Sequence, residues 1–249
     1  MSGHSKWSQI KRQKGVTDSR RGQLFTKLAR EISVAVRQGS ADPQANFKLR
    51  LVVQKARDNN MPLENIDRAI KRAGGGSDGS ALSEVTYEGY GPGGSAILIQ
   101  VLTDNKNRTL GEVRNILTRG GGNLGESGCV TWVFEPRGVI NVDAAKINAE
   151  ELALFAIDAG AEDVKVEGST LEVLTQPQDL EAVRKALELK KVVISSSELS
   201  MVPKTMVKLD EKAALQALKL LDKLEELDEV QHVYTNADFP EDIAGKYPG

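Results

Sequence analysis

Apolar residues near the amino terminus recur with the spacing of an amphipathic helix. Leu24, Leu28, Ile32 and Val36 follow one another at intervals of four residues, and Gly39 offers a place for the helix to end. This spacing puts the four side chains on one face of a helix. The residues before this stretch show neither helical nor strand periodicity, so the sequence predicts a flexible arm ahead of the first helix.

Two more short helices follow the first. Asp42 and Pro43 are typical of a helix start, with Asp as the N-cap and Pro at the first helical position. Pro62 opens a third helix, and the glycines that begin at Gly74 end it. The three helices predict a small bundle, and Gly and Ser at residues 77–80 continue the break as a linker.

Strand patterns begin after the linker. The sequence predicts strands at residues 84–90, 96–103 and 130–134, and a helix at residues 108–119. Residues 136–203 then follow the order β-α-β-β-α-β, which is the ferredoxin-like arrangement. After Pro203 the chain has only a strand, a strong helix and a short strand, too few elements to form a domain alone.

These last elements leave two topologies open. They could complete the sheet begun before Pro136, or the chain could consist of three domains in simple order. We favour the first, because the segment before Pro136 is too small to cover its own apolar surface. The expected fold class is α+β multidomain: an N-terminal three-helix bundle and two α+β domains, one of them ferredoxin-like and inserted in the other. The predicted domains are residues 1–76, residues 81–135 together with 204–239, and residues 136–203.

Charge is divided unevenly along a chain whose formal net charge is −2. Residues 1–72 contain 16 basic and 6 acidic side chains, a net charge of +10, and the remainder contains 17 and 29, a net charge of −12. A positive segment of this kind attracts a polyanion and releases its condensed counterions. Aromatic residues make up only 4% of the chain, so we expect affinity for nucleic acid to come mostly from phosphates.

Few features of the sequence support a cofactor site, a metal site or catalytic activity. Cys129 is the single cysteine, and His4 and His232 are too far apart in sequence to form a local ligand pair. The glycines at 120–125 match GxGxxG, but they follow a helix and precede a strand, the reverse of the dinucleotide-binding context. We predict no cofactor, no metal site, no catalytic residues and no enzyme activity. Cysteine usage and the short apolar runs favour a cytoplasmic protein without a membrane partner.

Long contiguous motifs resemble a known family. They are GHSKW at residues 3–7, IKRQKG at 10–15, RRGQLFTKLAREI at 20–32, YEGYGPGG at 87–94, LTDNKNRT at 102–109 and GGNLGESG at 121–128. The chain resembles the YebC/PmpR family, also called YebC/TACO, over essentially its whole length. It departs at Cys129, where the family more often has Ser. The resemblance implies a helical N-terminal domain and two α+β domains, in proteins described as DNA-binding transcriptional regulators or as translation factors at the ribosome.

The candidate nucleic-acid contacts form two groups. The first is the basic arm and the start of the first helix: Lys6, Lys11, Arg12, Lys14, Arg20, Arg21 and Lys27, with Trp7 able to stack on an exposed base. The second is a candidate secondary surface: Arg68, Lys71, Arg72, Asn105, Asn107 and Arg108. The glycine-rich loop at 120–125 either adds open backbone N–H groups to this surface or is a tight connection that needs positive φ.

Three classes of function fit these observations. The leading hypothesis is a nucleic-acid-binding regulator of gene expression, in the first place a DNA-binding transcriptional regulator, whose acidic α+β domains offer surfaces to protein partners. The alternative is a ribosome-associated translation factor that uses the same arm to bind ribosomal RNA or tRNA. A protein-interaction scaffold is the third class, and it would leave the basic arm without a role.

Overall fold

The structure is a computed structural model that describes Trp7 and residues 18–75, 82–145, 148–167 and 170–247. The chain begins with three helices, which are α1 (Asp18–Gln38), α2 (Phe47–Asp58) and α3 (Leu63–Gly74). Leu28 and Ile32 from α1, Leu49 from α2 and Ile66 from α3 are fully or almost fully buried against one another. The apolar stripe read from the sequence is therefore the core of the bundle.

The second helix begins later than predicted. Asp42 does not cap it, because the Asp42 carboxylate accepts a hydrogen bond from the backbone N–H of Gln44 in a local turn. Asn46 is the N-cap instead, and its side-chain oxygen accepts from the N–H of Leu49 at 3.1 Å. The Asn46 amide also donates to the carbonyls of Ala35 and Ser40, so this side chain ties the helix start to the end of α1.

A sheet and a helix follow the bundle. Their first members are β1 (Ser83–Tyr90), β2 (Ala96–Thr103), α4 (Lys106–Arg119) and β3 (Asn123–Leu124). Strand β1 pairs antiparallel with β2 and with β3. Almost every residue of β2 is buried, so both faces of this strand are covered.

The sequence predicts a strand at residues 130–134, and these bounds are wrong. Thr131–Val133 form a 3₁₀ turn, and a strand, β4 (Phe134–Asp143), begins only after it. The reason lies in β1, where the carboxylate of Glu88 accepts hydrogen bonds from the backbone N–H groups of Val130 and Thr131. These donors are therefore not available to a neighbouring strand.

The ferredoxin-like order appears as predicted. Strand β4 leads into α5 (Ala149–Asp158), β5 (Asp163–Glu167), β6 (Thr170–Thr175), α6 (Leu180–Leu189) and β7 (Val193–Pro203). The strand order in the sheet is β5-β6-β4-β7. Residues 135–202 form a compact unit, and the rest of the described chain forms the other.

The carboxyl-terminal elements complete the first sheet. They are β8 (Val207–Lys208), α7 (Glu211–Glu225), β9 (Val230–Thr235), β10 (Ala237–Asp238) and α8 (Ile243–Lys246). Strand β9 pairs antiparallel with β2, which gives the order β3-β1-β2-β9, and β8 pairs with β10. Because β9 lies beside β2, the ferredoxin-like segment is an insertion in this domain. The predicted fold class is confirmed.

Candidate nucleic-acid interface

Helix α1 contacts the carboxyl end of α7 through basic side chains. Lys27 donates from Nζ to the backbone carbonyl of Glu225, and Arg30 donates to the carbonyl of Asp228. Cations at a helix carboxyl terminus satisfy free carbonyls and interact well with the helix dipole. Lys27, predicted as a phosphate contact, donates this hydrogen bond inside the molecule, and its contact with phosphate stays a prediction.

Trp7 contacts the same helix end. Its side chain is only 1% exposed and packs in the core of the sheet domain, and its Nε1 donates to Oε1 of Glu225 at 3.1 Å. A buried tryptophan is stabilised when its apolar rings leave water and its N–H finds an acceptor. The ring offers no open face in this position. The stacking role predicted for Trp7 is corrected to an anchoring one.

A partly buried ion cluster lies beside these contacts. Oε1 of Glu31 lies 3.5 Å from Nζ of Lys55 and 3.5 Å from Nε2 of His232 on β9. Burial by itself raises the pKa of Glu31, but the charge of Lys55 and the hydrogen bond with His232 outweigh it and lower the pKa to about 2. We call the contact formed by Trp7, Lys27, Glu31, Lys55, Glu225 and His232 the seam.

A cleft of about 590 Å³ opens next to the seam, between α1 and α3 on one side and the end of β2 and start of α4 on the other. Its described lining contains five arginines and two acids, Asp104 and Glu229. The arginines come from three helices and are Arg30, Arg37, Arg68, Arg72 and Arg108. We call this site the arginine cleft.

Neighbouring groups orient several of these guanidinium groups. Arg108 lies 2.8 Å from the carboxylate of Asp104 and 2.9 Å from that of Glu229, so it engages both acids of the cleft. Asp104 first, and then Glu229, raise the pKa of Arg108 above its usual value. Arg68 lies 2.7 Å from Glu64 in the preceding turn of α3. The cleft therefore keeps its positive charge at any physiological pH.

The predicted site residues lie in different parts of the structure. Arg68, Arg72 and Arg108 meet in the arginine cleft, whereas Lys71 is exposed outside the cleft lining. Asn105 is the N-cap of α4 and accepts from the N–H of Arg108, so its side chain is used locally. Asn107 and Arg21 are exposed. The side chains predicted at Lys6, Lys11, Arg12, Lys14 and Arg20 lie outside the described residues.

Among the cleft residues that the sequence prediction did not include are Phe25, Arg30 and Arg37 on α1. Arg30 and Arg37 are seven residues apart and line the same site. The signal was present, because residues seven apart in a helix share a face. It could have been found by reading the polar face of α1 as carefully as its apolar stripe.

The glycine-rich loop at 120–125 is a tight connection, because the N–H groups of Gly120, Gly121 and Gly122 donate to carbonyls at the end of α4 and that of Gly125 donates to the carbonyl of Glu88. The segment that follows is held by the Glu88 carboxylate. Oε1 of Glu88 accepts from the N–H of Gly128 at 2.7 Å, and Oε2 accepts from Val130 and Thr131 at 2.8 Å. Burial raises the pKa of Glu88, but these hydrogen bonds outweigh it and lower the pKa below its usual value. Gly121 has a φ of 80°, which a side chain would strain.

No three or more His, Cys, Asp or Glu side chains are grouped closely enough to hold a metal ion in the part of the chain that the structure describes. None of the described helices is long and apolar enough to cross a membrane.

Two family models match the chain. Residues 5–76 match the TACO1/YebC protein N-terminal domain, and residues 82–237 match the TACO1/YebC second and third domain. The chain belongs to the TACO1/YebC family. The resemblance read from the contiguous motifs is therefore confirmed, and together the two matches take in the bundle, the sheet domain and the inserted unit.

Members of this family are similar along the whole chain. A probable transcriptional regulatory protein of Dehalococcoides mccartyi is 53% identical over 247 residues, covering 99% of this chain and 98% of that protein. Another, from Chloroflexus aurantiacus, is 54% identical over 250 residues, covering 99% of each. The crystal structure of the conserved hypothetical protein Aq1575 from Aquifex aeolicus has a TM-score of 0.82 and 46% identity, covering 90% of this chain and 93% of that one.

Proposed function

We propose that this protein is a nucleic-acid-binding regulator of gene expression that binds DNA and regulates transcription. The observation that carries the proposal is the arginine cleft, where five arginines from three helices converge beside a strongly basic amino-terminal segment. Arginine presents a rigid fork of donors that matches phosphate oxygens. The similar proteins of Dehalococcoides mccartyi and Chloroflexus aurantiacus, both called probable transcriptional regulatory proteins, support the same function.

The two halves of the charge pattern have different roles in this proposal. The +10 segment at residues 1–72 supplies phosphate contacts, and the −12 remainder keeps the rest of the chain away from the same polyanion. The acidic α+β domains are then left to contact proteins. The seam fixes the bundle to the sheet domain, so the cleft keeps its shape when nucleic acid is absent.

The test is the salt dependence of binding to duplex DNA, measured by fluorescence anisotropy. If six to eight phosphates are contacted, the slope of log K against log salt should be about −5 to −7. The variant Lys11→Ala/Arg12→Ala/Lys14→Ala removes three candidate contacts and should make the slope shallower by about 3. A slope near zero for the unmodified protein would refute the proposal.

The matched control removes the same charge from the acidic part of the chain. Lys208, Lys212 and Lys219 are exposed, and none of them lines the cleft. Their triple alanine variant should bind DNA with an unchanged slope. Cross-linking in cells then separates DNA from ribosomes: recovery of promoter DNA supports the proposal, and recovery of ribosomal particles alone contradicts its transcriptional part.

A further inference from the structure

The arginine cleft combines three kinds of surface. The backbone of a duplex would not use all three of them. The cleft has guanidinium groups, an apolar floor with an aromatic ring, and neutral polar side chains that offer hydrogen-bond acceptors beside the arginine donors. We propose that the cleft binds a single-stranded stretch of nucleic acid, with phosphates on the arginines and one unpaired base on the floor. This inference rests on the proposed function, because it names the form of nucleic acid that this site takes.

The phosphate side of the site is formed by two helices. Arg37 on α1 and Arg68 and Arg72 on α3 are exposed at the cleft, and they approach it from neighbouring helices. Guanidinium groups bind phosphate with two parallel hydrogen bonds. The two acids in the described lining are both engaged by Arg108, and Arg68 lies 2.7 Å from the exposed carboxylate of Glu64, with which a phosphate would compete.

The floor of the cleft suits a base. Phe25, Met61 and Leu102 line it, and Phe25 is only partly buried, so its ring remains accessible. An aromatic face in a basic groove binds any unpaired base by stacking. With Trp7 buried in the seam, Phe25 takes the stacking role that the sequence had suggested for the tryptophan.

Neutral polar side chains stand next to this floor. Thr26 and Ser33 on α1 and Asn65 on α3 line the same cleft. The hydroxyls of Thr26 and Ser33 donate to the backbone carbonyls of Gly22 and Ala29 and keep lone pairs that can accept from the edge of a base. The Asn65 amide can both donate and accept, whereas arginine can only donate. In a duplex these edges are paired and the base faces are stacked, so floor and polar groups together favour an unpaired nucleotide.

The size of the cleft agrees with this ligand. A volume of about 590 Å³ lies within the roughly 300–1,000 Å³ that is usual for sites of small molecules. A nucleotide unit is a ligand of that scale. A paired duplex could lay its phosphates across the arginine rim, but its bases would not reach the floor.

The experiment compares a fully paired duplex with the same duplex carrying a short single-stranded gap, both labelled for fluorescence anisotropy. The unmodified protein should bind the gapped duplex about tenfold more tightly, since stacking one base contributes this much. Phe25→Leu keeps an apolar side chain but loses the aromatic face, and Thr26→Leu narrows the cleft without changing charge or adding an aromatic ring. Both should reduce the preference for the gap, with folding checked by circular dichroism.

The arginines are tested by a triple variant and a matched control. Arg37→Ala/Arg68→Ala/Arg72→Ala should make the salt slope on single-stranded oligonucleotides shallower by about 2. Arg57, Arg114 and Arg119 are also exposed but do not line the cleft, and their triple alanine variant should keep both the slope and the preference for the gap.

The outcomes separate this inference from the proposed function. Equal, salt-dependent binding of both duplexes by the unmodified protein would overturn the inference and leave the proposed function standing. Failure to bind either duplex would refute the proposed function itself. A gap preference that survives both Phe25→Leu and Thr26→Leu would place the single-strand site elsewhere and overturn the inference. Displacement by a free mononucleotide, without any gap preference, would also overturn it.

Discussion

The bundle meets the sheet domain in two neighbouring places that use basic residues in opposite ways. At the seam, Lys55 faces Glu31 at 3.5 Å, and the two side chains are 22% and 15% exposed. At the arginine cleft, Arg68 and Arg108 are 67% and 46% exposed, and the five arginines have only two acids among the described lining residues. Partly buried cations join the bundle to the sheet domain at the seam, whereas most of the cleft arginines are exposed to solvent, where a ligand can reach them even though Arg68 and Arg108 also pair with carboxylates.

This difference shows that net charge alone does not identify a binding residue. Lys27 and Arg37 belong to the same helix and the same +10 segment. The first is used at the end of α7, and the second faces the cleft. A variant series should therefore separate loss of stability from loss of binding.

Removal of Trp7 should have the largest effect on stability. Trp7→Ala leaves a cavity where an almost fully buried ring packs and abolishes its hydrogen bond to Glu225. We expect the free energy of unfolding to fall by about 3–5 kcal/mol, measured by urea denaturation with circular dichroism. The matched control is Trp132→Ala, because that side chain is 67% exposed. Equal losses for the two variants would show that Trp7 does not anchor the seam.

Neutralising Glu31 should have the next largest effect, and it should depend on pH. The folded-state pKa of Glu31 is lowered to about 2 from about 4.5, so its stabilisation is present above pH 4.5 and is lost as the pH falls towards 2. We expect Glu31→Gln to lower the free energy of unfolding by about 3 kcal/mol at neutral pH. The difference from the unmodified protein should become smaller as the pH falls.

The Glu31 prediction has a matched control on the bundle. Glu64 lies at an exposed ion pair with Arg68, and its side chain is 82% exposed. Glu64→Gln should therefore change stability little and without a pH dependence of this kind. If the cost of Glu31→Gln were the same at every pH, the ion cluster would not be the source of its stabilisation.

The cleft arginines should have the smallest effect on stability. Arg37→Ala/Arg68→Ala/Arg72→Ala removes exposed side chains, and we expect the free energy of unfolding to change by no more than about 1 kcal/mol. Thermal unfolding followed by circular dichroism measures this change. A loss as large as that of Glu31→Gln would contradict the difference between the seam and the cleft, since it would place these arginines in the same structural network as the seam.

Local patterns in the sequence predicted most of the fold. The stripe of Leu28 and Ile32 and the β-α-β-β-α-β order each follow from spacing over a few residues, and both appear in the structure. The start of α2 was misplaced because Asn46 uses two distant carbonyls, those of Ala35 and Ser40, to fix its position. The helix-start propensities of Asp42 and Pro43 are local and contain no information about these hydrogen bonds of Asn46.

The site was less predictable than the fold. The sequence predicts one secondary surface of six residues, and the cleft contains three of them, Arg68, Arg72 and Arg108, but not Lys71, Asn105 or Asn107. The sequence assigns Trp7 and Lys27 to nucleic acid, but in the structure both contact Glu225. This partner is 218 and 198 residues away from them in sequence. Spacing along the chain carries no information about a contact over that distance.

The sequence by itself determined the helices, the segregation of charge and the family, because these depend on periodicity, composition and contiguous motifs. Only the tertiary structure decided which basic residues are used at the seam and which line the cleft. The physical reason is that local periodicity places a side chain on a face of its helix, while the partner of that face is set by packing. For α1 that packing is against the end of α7 and against β9, and it leaves the arginine cleft open beside them.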